Sequence, residues 1–271
     1  MRHRAAASQD TTPGRREEAL RACREHAPGA AWWVGVLDGW SDLALPAAYG
    51  LAEEMARIRE GRGERWIGYK LGCTSGAVQQ QLGTGEPIYA PLFEHGRLTS
   101  GDRLSAQQYA NLAVEGELAL RLTADLCGAD LSDVQLREAI GSVFPVIELH
   151  HLVLPVGTPR AAALAATGGL HAGMVLPEVE AAGRHGVPDG CLLRVSIDGR
   201  PVGVTHAVWT MGSPTAALRW LAVRLAERGQ KLRRGQIILT GSPLCLFPVR
   251  GGNTVLVEAP PLGSCGVEIV P

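Results

Sequence analysis

The chain has 271 residues, 46% of them hydrophobic and 20% charged, and carries a formal net charge of −1. A chain of this length buries roughly 70–75% of its unfolded surface, enough for one large globular domain or one with a small appendage. The near-neutral charge gives no broad field for nucleic acid or an anionic membrane, and no run of about 20 apolar residues reads as a membrane span.

Residues 1–13 read as a loose leader. Their positive charges are not followed by a sustained apolar segment, so no secretory signal is expected. Residues 14–26 read as a helix with Glu17, Arg21 and Glu25 wet and Ala19, Leu20 and Cys23 packed. The Trp32-Trp33-Val34-Gly35-Val36-Leu37 run reads as a short strand or packing segment. A second helix is predicted over 45–59, with Leu51, Met55 and Ile58 at helical spacing and Gly61 and Gly63 to stop it. Residues 1–65 thus form a small helical N-terminal portion.

From Trp66 the texture changes to short apolar runs separated by glycine and proline. Strands are predicted over 67–71, 114–122, 142–149 and 192–197. Asp198-Gly199 signals a hairpin leading into a strand through Trp209, and 236–240 and 254–258 add two more. One helix is marked by a Ser213 cap, Pro214 at its first position, Ala217, Leu218, Leu221 and Leu225 on its apolar side, and Gly229 at its end. The fold class is α+β, with a rolled or barrel-like β domain over 66–271 and no doubly wound nucleotide fold. The six cysteines, Cys23, Cys73, Cys127, Cys191, Cys245 and Cys265, form no close pair. Buried free thiols in a reducing compartment, the cytoplasm, are the simpler expectation.

Glu115 and Glu117 carry the sharpest chemical signal. In an extended strand they project together, while Val114, Gly116 and Leu118 face the other way. Glu148 follows in the apolar run Pro145-Val146-Ile147-Glu148-Leu149. Three converging acids repel unless a cation or a shared proton compensates them, and a hard divalent ion with oxygen ligands would do so. The competing reading is a half-exposed edge strand whose acids meet a base such as Arg121. Lys70 is either an outward lysine or a cation beside a substrate carboxylate, with acid/base duty if its pKa is lowered.

His150 shares the side of Glu148 and is a candidate for proton transfer or substrate contact, with metal ligation and plain structural hydrogen bonding also open. His151 points away. His171 sits in the glycine-rich 167–173 stretch, which reads as a flexible cover or a surface loop. Thr74 and Ser75 could hydrogen-bond a carboxylate, with turn capping as the alternative, and Thr240-Gly241-Ser242, ending a strand, could supply backbone or hydroxyl hydrogen bonds near a site. No Gly-x-Ser-x-Gly elbow or phosphate loop is present.

Four segments in this order, Gly68-Tyr69-Lys70-Leu71-Gly72-Cys73-Thr74-Ser75, Val114-Glu115-Gly116-Glu117-Leu118-Ala119, Pro145-Val146-Ile147-Glu148 and Ile238-Leu239-Thr240-Gly241-Ser242, resemble the fumarylacetoacetate hydrolase superfamily. The match is to its 2-keto-4-pentenoate hydratase and 4-oxalocrotonate decarboxylase branch and spans about residues 43–268. The resemblance implies a mixed β-roll behind a small helical portion, and Mg²⁺ or Mn²⁺ held by Glu115, Glu117 and Glu148. It also implies Lys70 in the active site, a 2-oxo acid or enol substrate, and homo-oligomers. Water addition through an enolate is the expected reaction, with decarboxylation or a catalytically altered metal-binding scaffold as alternatives. The chain departs from the family pattern at three places, one of them Thr167-Gly168-Gly169-Leu170-His171 in place of a polar Asp-Asn-x-Ser-Ser region. Glu86-Pro87-Ile88-Tyr89-Ala90 stands where an acidic residue often follows the proline. Glu148-Leu149-His150-His151 replaces Glu-Ile-Val-Asp, so His150 or His171 is expected to supply the lost acid/base capacity.

Overall fold

The computed structural model describes residues 13–25, 43–152, 161–180, 191–206 and 208–271. The run at 32–37 and nearly all of the leader lie outside these residues. Two helices come first, α1 (Pro13–Glu25) and α2 (Leu45–Gly61). Ala19, Leu20 and Cys23 of α1 and Ala48, Tyr49, Leu51 and Met55 of α2 are buried in the main core. Each set recurs at three- and four-residue spacing, which puts one stripe of each helix on the protein.

The strands follow in chain order: β1 (Trp66–Gly72), β2 (Ile88–Phe93), β3 (Arg97–Thr99), β4 (Arg103–Ser105), β5 (Leu112–Leu122), β6 (Ile140–His151) and β7 (His171–Leu176). Then come β8 (Leu193–Ile197), β9 (Arg200–Thr205), β10 (Ile237–Leu239), β11 (Phe247–Pro248), β12 (Thr254–Glu258) and β13 (Ser264–Val270). Short helices α3 (Gly76–Leu82), α4 (Asp133–Glu138) and α5 (Ala161–Ala166) and the longer α6 (Pro214–Ala226) punctuate them. Ser213 accepts from Ala216 N at 3.0 Å and so caps α6 as its sequence predicts. Asp198 and Gly199 take φ of +51° and +73° between β8 and β9, the paired left-handed conformations of a tight hairpin turn. The second arm of that hairpin stops at Thr205, short of the expected Trp209.

Eight strands form one sheet in the order β2-β1-β10-β5-β6-β7-β3, with β11 beside β5. β2 and β3 lie at opposite ends of that path, yet only a turn over Glu94–Gly96 separates them in the chain. Three residues reach roughly 11 Å at most, so the sheet has to curl until its ends meet. It closes into a roll. One face lines the inside, where Leu92, Ala119, Phe144, Val146, Met174, Leu176, Ile237 and Leu239 form a small apolar cluster.

The other face packs on a five-stranded sheet ordered β4-β13-β12-β8-β9. The larger core lies between them, with Val114, Leu118, Leu120 and Ile147 facing Val195, Val257, Cys265 and Val267. Gly116 is needed there, because a Cβ would collide with Val195 and crowd Val257. All six cysteines are free; Cys127 and Cys245 are exposed, contrary to the expectation of burial. No helix among the described residues is long and apolar enough to cross a membrane.

Candidate active site

β5 and β6 sit side by side within the large sheet, and their register sets Glu115 opposite Glu148, Glu117 opposite Val146, and Ala113 opposite His150. Directly paired residues of an antiparallel ladder share a face. The alternation that sends Gly116 into the inter-sheet core therefore sends Glu115, Glu117, Glu148 and His150 into the roll. Strand β5 is flanked by β10 and β6, so the edge-strand reading fails, and Arg121 is engaged elsewhere, donating to Glu180 at 2.7 and 2.9 Å. β1 contributes Lys70, opposite Leu239 of β10 and Ala90 of β2.

His171 corrects the loop reading. It opens β7, and a bulge pairs Leu149 with Gly173 but His150 with His171. The extra residue turns His171 toward the same interior.

These side chains meet on Glu148. Its Oε1 accepts from Lys70 Nζ at 2.9 Å and from His171 Nδ1 at 2.7 Å. His150 Nε2 lies 3.5 Å from Glu148 Oε2 and 3.3 Å from Glu115 Oε2. Lys70 also donates to the Gly169 carbonyl at 3.2 Å. Glu117 Oε2 accepts from Gly241 N, while its Oε1 is buried without a hydrogen-bond partner, as are His150 Nε2 and His171 Nε2.

Burial opposes the charge on Glu148, but Lys70 first, then His150 and His171, hold its carboxyl well below the usual range. Burial likewise opposes the Lys70 charge, and Glu148, Glu115 and Glu117 outweigh it, so the ammonium is kept. Burial and then the Glu148 charge push Glu117 well above an ordinary carboxylate. His150 is raised to about 9, its acidic neighbours Glu148 and Glu115 overcoming burial. His171 is lowered, chiefly by burial. A carboxylate can only accept, so Nδ1 of neutral His171 carries the proton and Nε2 presents a bare lone pair.

The donor set fits a divalent cation. Leaving a buried polar atom unpaired costs roughly 1–3 kcal/mol, and an ion beside Glu115 and Glu148 would satisfy His150 Nε2. Glu115, Glu148 and His150 each offer a ligand atom within 4.8 Å of the others. That group contains Glu115 and Glu148 of the three acids expected from the sequence and adds a nitrogen, with Glu117 outside it.

The predicted hydroxyls mostly hold backbone. Ser75 accepts from Val78 N at 3.3 Å and caps α3. Thr240 donates to Leu118 O at 2.8 Å, and Ser242 donates to Gly116 O at 2.9 Å, pinning the 240–242 turn to β5. That turn is what brings Gly241 N to Glu117. Thr74 lies buried against Gly241, where a Cβ would strike its hydroxyl. His151, on the opposite side, accepts from Ala110 N at 3.1 Å. The backbone hydrogen bond from the 240–242 turn was expected and comes from Gly241 N, whereas the Gly169 carbonyl was not anticipated, the adjacent Gly168-Gly169 pair being its one visible trace.

A curled mixed sheet with acids, a lysine and histidines clustered inside defines an α+β roll whose interior donor set could hold a divalent ion. The fold matches that of 4-oxalocrotonate decarboxylase from Pseudomonas putida G7, solved with magnesium and adipate, with a TM-score of 0.78 at 23% identity over 95% of this chain and 96% of that one. No protein-family model matches the chain. It is 31% identical over 241 residues to the TodF product hydratase of Pseudomonas putida, covering 81% of this chain and 82% of the relative. It is 26% identical over 270 residues to 2-hydroxyhexa-2,4-dienoate hydratase of Comamonas testosteroni, covering 96% of each. The chain belongs to the hydratase and decarboxylase branch of the fumarylacetoacetate hydrolase superfamily, and it is an enzyme, a lyase.

Proposed function

We propose that the enzyme adds water to a 2-hydroxydienoate or its 2-oxoenoate tautomer with the aid of a divalent ion, Mg²⁺ or Mn²⁺, held by Glu115, Glu117 and Glu148. The convergence of Glu148, Lys70, His150 and His171 inside one roll carries this reading. When bound, the ion would supply Lewis-acid stabilisation of negative charge on the 2-oxygen.

The chain's own residues do the rest. Lys70, fixed by Glu148 and Gly169, keeps a third N–H for the substrate carboxylate or 2-oxygen. His171 Nε2 is a neutral base inside the pocket, suited to taking the enol proton and returning it to the far end of the conjugated chain. Water then adds to the resulting enone, its oxygen to the β carbon and its proton to the α carbon. Ile88 pairs with Gly72 on the same side as Lys70 and contributes an apolar wall with no proton to give. Proton transfer therefore falls to His171. Thr74, Ser75, Thr240 and Ser242 support the substrate by shaping the turns around it.

In this reading residues 66–271 form the catalytic roll and 1–65 its helical cover. The free thiols support a cytoplasmic protein, and Val202, Val204 and Leu256, exposed on the five-stranded sheet, support a homo-oligomer.

The test is turnover of 2-oxoenoates followed by mass spectrometry on purified protein with and without added ion. Gain of water, lost by at least about 100-fold in Glu115→Gln and Glu148→Gln variants that still fold, is expected. Undiminished turnover in both variants would reject the assignment, and loss of carbon dioxide in place of water gain would make the enzyme a decarboxylase.

A further inference from the structure

His150 is the side chain whose geometry the mechanism above leaves unexplained. It is buried, and its Nε2 lies 3.3 Å from Glu115 Oε2 and 3.5 Å from Glu148 Oε2, within ion-pair reach of both acids but with no hydrogen bond of good geometry to either. Two donors each about 2.1 Å from one ion, at angles between about 90° and 110°, lie about 3.0–3.4 Å apart. The Glu115 distance falls inside that range, the Glu148 distance lies just above it, and all three donor atoms are within 4.8 Å of one another.

Glu148 is already divided for this purpose. Its Oε1 is occupied by Lys70 and His171, which leaves Oε2 as a single ligand oxygen on the His150 side. Where the resembling Glu-Ile-Val-Asp pattern has valine, this chain has His150. The strand alternation that would put the valine inside the roll puts an imidazole there instead.

We propose that His150 Nε2 is a metal ligand, and that the resulting nitrogen and oxygen set selects a first-row transition ion, Mn²⁺, Fe²⁺, Co²⁺ or Zn²⁺, over Mg²⁺. The proposal rests on the divalent-ion reading of the pocket given above. Carboxylates alone suit Mg²⁺ and Ca²⁺, whereas imidazole favours the transition ions, with affinity rising from Mn²⁺ toward the later members of the row. Glu115, Glu148 and His150 would together offer two carboxylate oxygens and one imidazole nitrogen to such an ion.

The experiment uses full-length protein stripped with chelator. Loaded with Mn²⁺, it is examined by pulsed electron paramagnetic resonance for a directly coordinated imidazole nitrogen. That coupling is expected in the wild type and in His171→Gln, and absent in His150→Val. Calorimetric titrations with Zn²⁺ and Mg²⁺ should show His150→Val losing Zn²⁺ affinity by roughly tenfold or more while Mg²⁺ affinity changes by less than about threefold.

Mn²⁺ bound without nitrogen coupling, coupling that survives His150→Val, or an unchanged Zn²⁺ to Mg²⁺ ratio would overturn this assignment while leaving the carboxylate site standing. No divalent uptake by the wild type would overturn both. If His150→Val does not fold, wild type and His171→Gln labelled with ¹⁵N-histidine decide the matter, since the coupling must change isotope pattern in both.

Discussion

Gly169 sets the position of Lys70 more tightly than its lack of a side chain suggests. Its φ is +66°, its carbonyl accepts from Lys70 Nζ, and a Cβ there would lie 2.6 Å from Lys70 Cε and 2.8 Å from Nζ. Gly169→Ala should cost about 1–2 kcal/mol of stability from the left-handed backbone. Activity should fall further, by about tenfold or more, because the ammonium is displaced; kcat beside a thermal melt separates the two effects.

At the other end of the roll, Glu180 accepts from Arg121 and from Ser142 Oγ, the latter at 2.9 Å. Burial opposes its charge, but the Arg121 guanidinium outweighs it and lowers the carboxyl. A lowered folded-state value means stabilisation that is present above the usual glutamate range near 4.3 and is lost as pH falls through the folded value. Glu180→Gln should therefore lower the melting temperature by about 2–4 °C at pH 7 and by less at pH 3.

At this scale the sequence revealed the acids but not their partners. Glu115 and Glu117 share a face by period two alone, and apolar neighbours mark Glu148 as an expensive charge. The bulge that turns His171 inward leaves no mark in composition, and the glycines before it imitate a loop.

Strand β5 is the element on which both cores depend, with acids on one face and Gly116 on the other. Gly116→Ala should destabilise the protein by about 1–3 kcal/mol by overpacking, and Val195→Ala in the same chain should recover part of that loss, measured by denaturant unfolding of the two single variants and the double. Strand β5 was legible from its period-two alternation and β6 from its nearly continuous apolar run, and α6 because its cap, proline and apolar stripe agree. β13 was missed although Cys265, Val267 and Ile269 alternate with Gly266 and Glu268. The strands β2, β3 and β4 are short and interrupted by proline, histidine or glycine, and tertiary pairing decides them more than local pattern does.

Across the whole molecule, the short β2–β3 connection closes the sheet, and closure creates a buried interior with polar groups at one end. Apolar side chains such as Phe144 and Met174 fill the remainder, so a ligand at the acid cluster is held away from bulk water. The roll itself was legible as many strands with few helices, while its closure depends on a strand order that no single segment encodes. Buried acids that repel one another without a cation make ion binding a stability term as well as a catalytic one. An ion at 100 times its Kd should add about 2.7 kcal/mol to folding, seen as a rise in melting temperature.

The most direct measurement is a calorimetric titration of chelator-stripped protein with Mn²⁺, run on the wild type and on Glu148→Gln. One ion per chain in the wild type, lost in the variant, is the predicted result; no uptake, or uptake that Glu148→Gln leaves unchanged, would contradict the account.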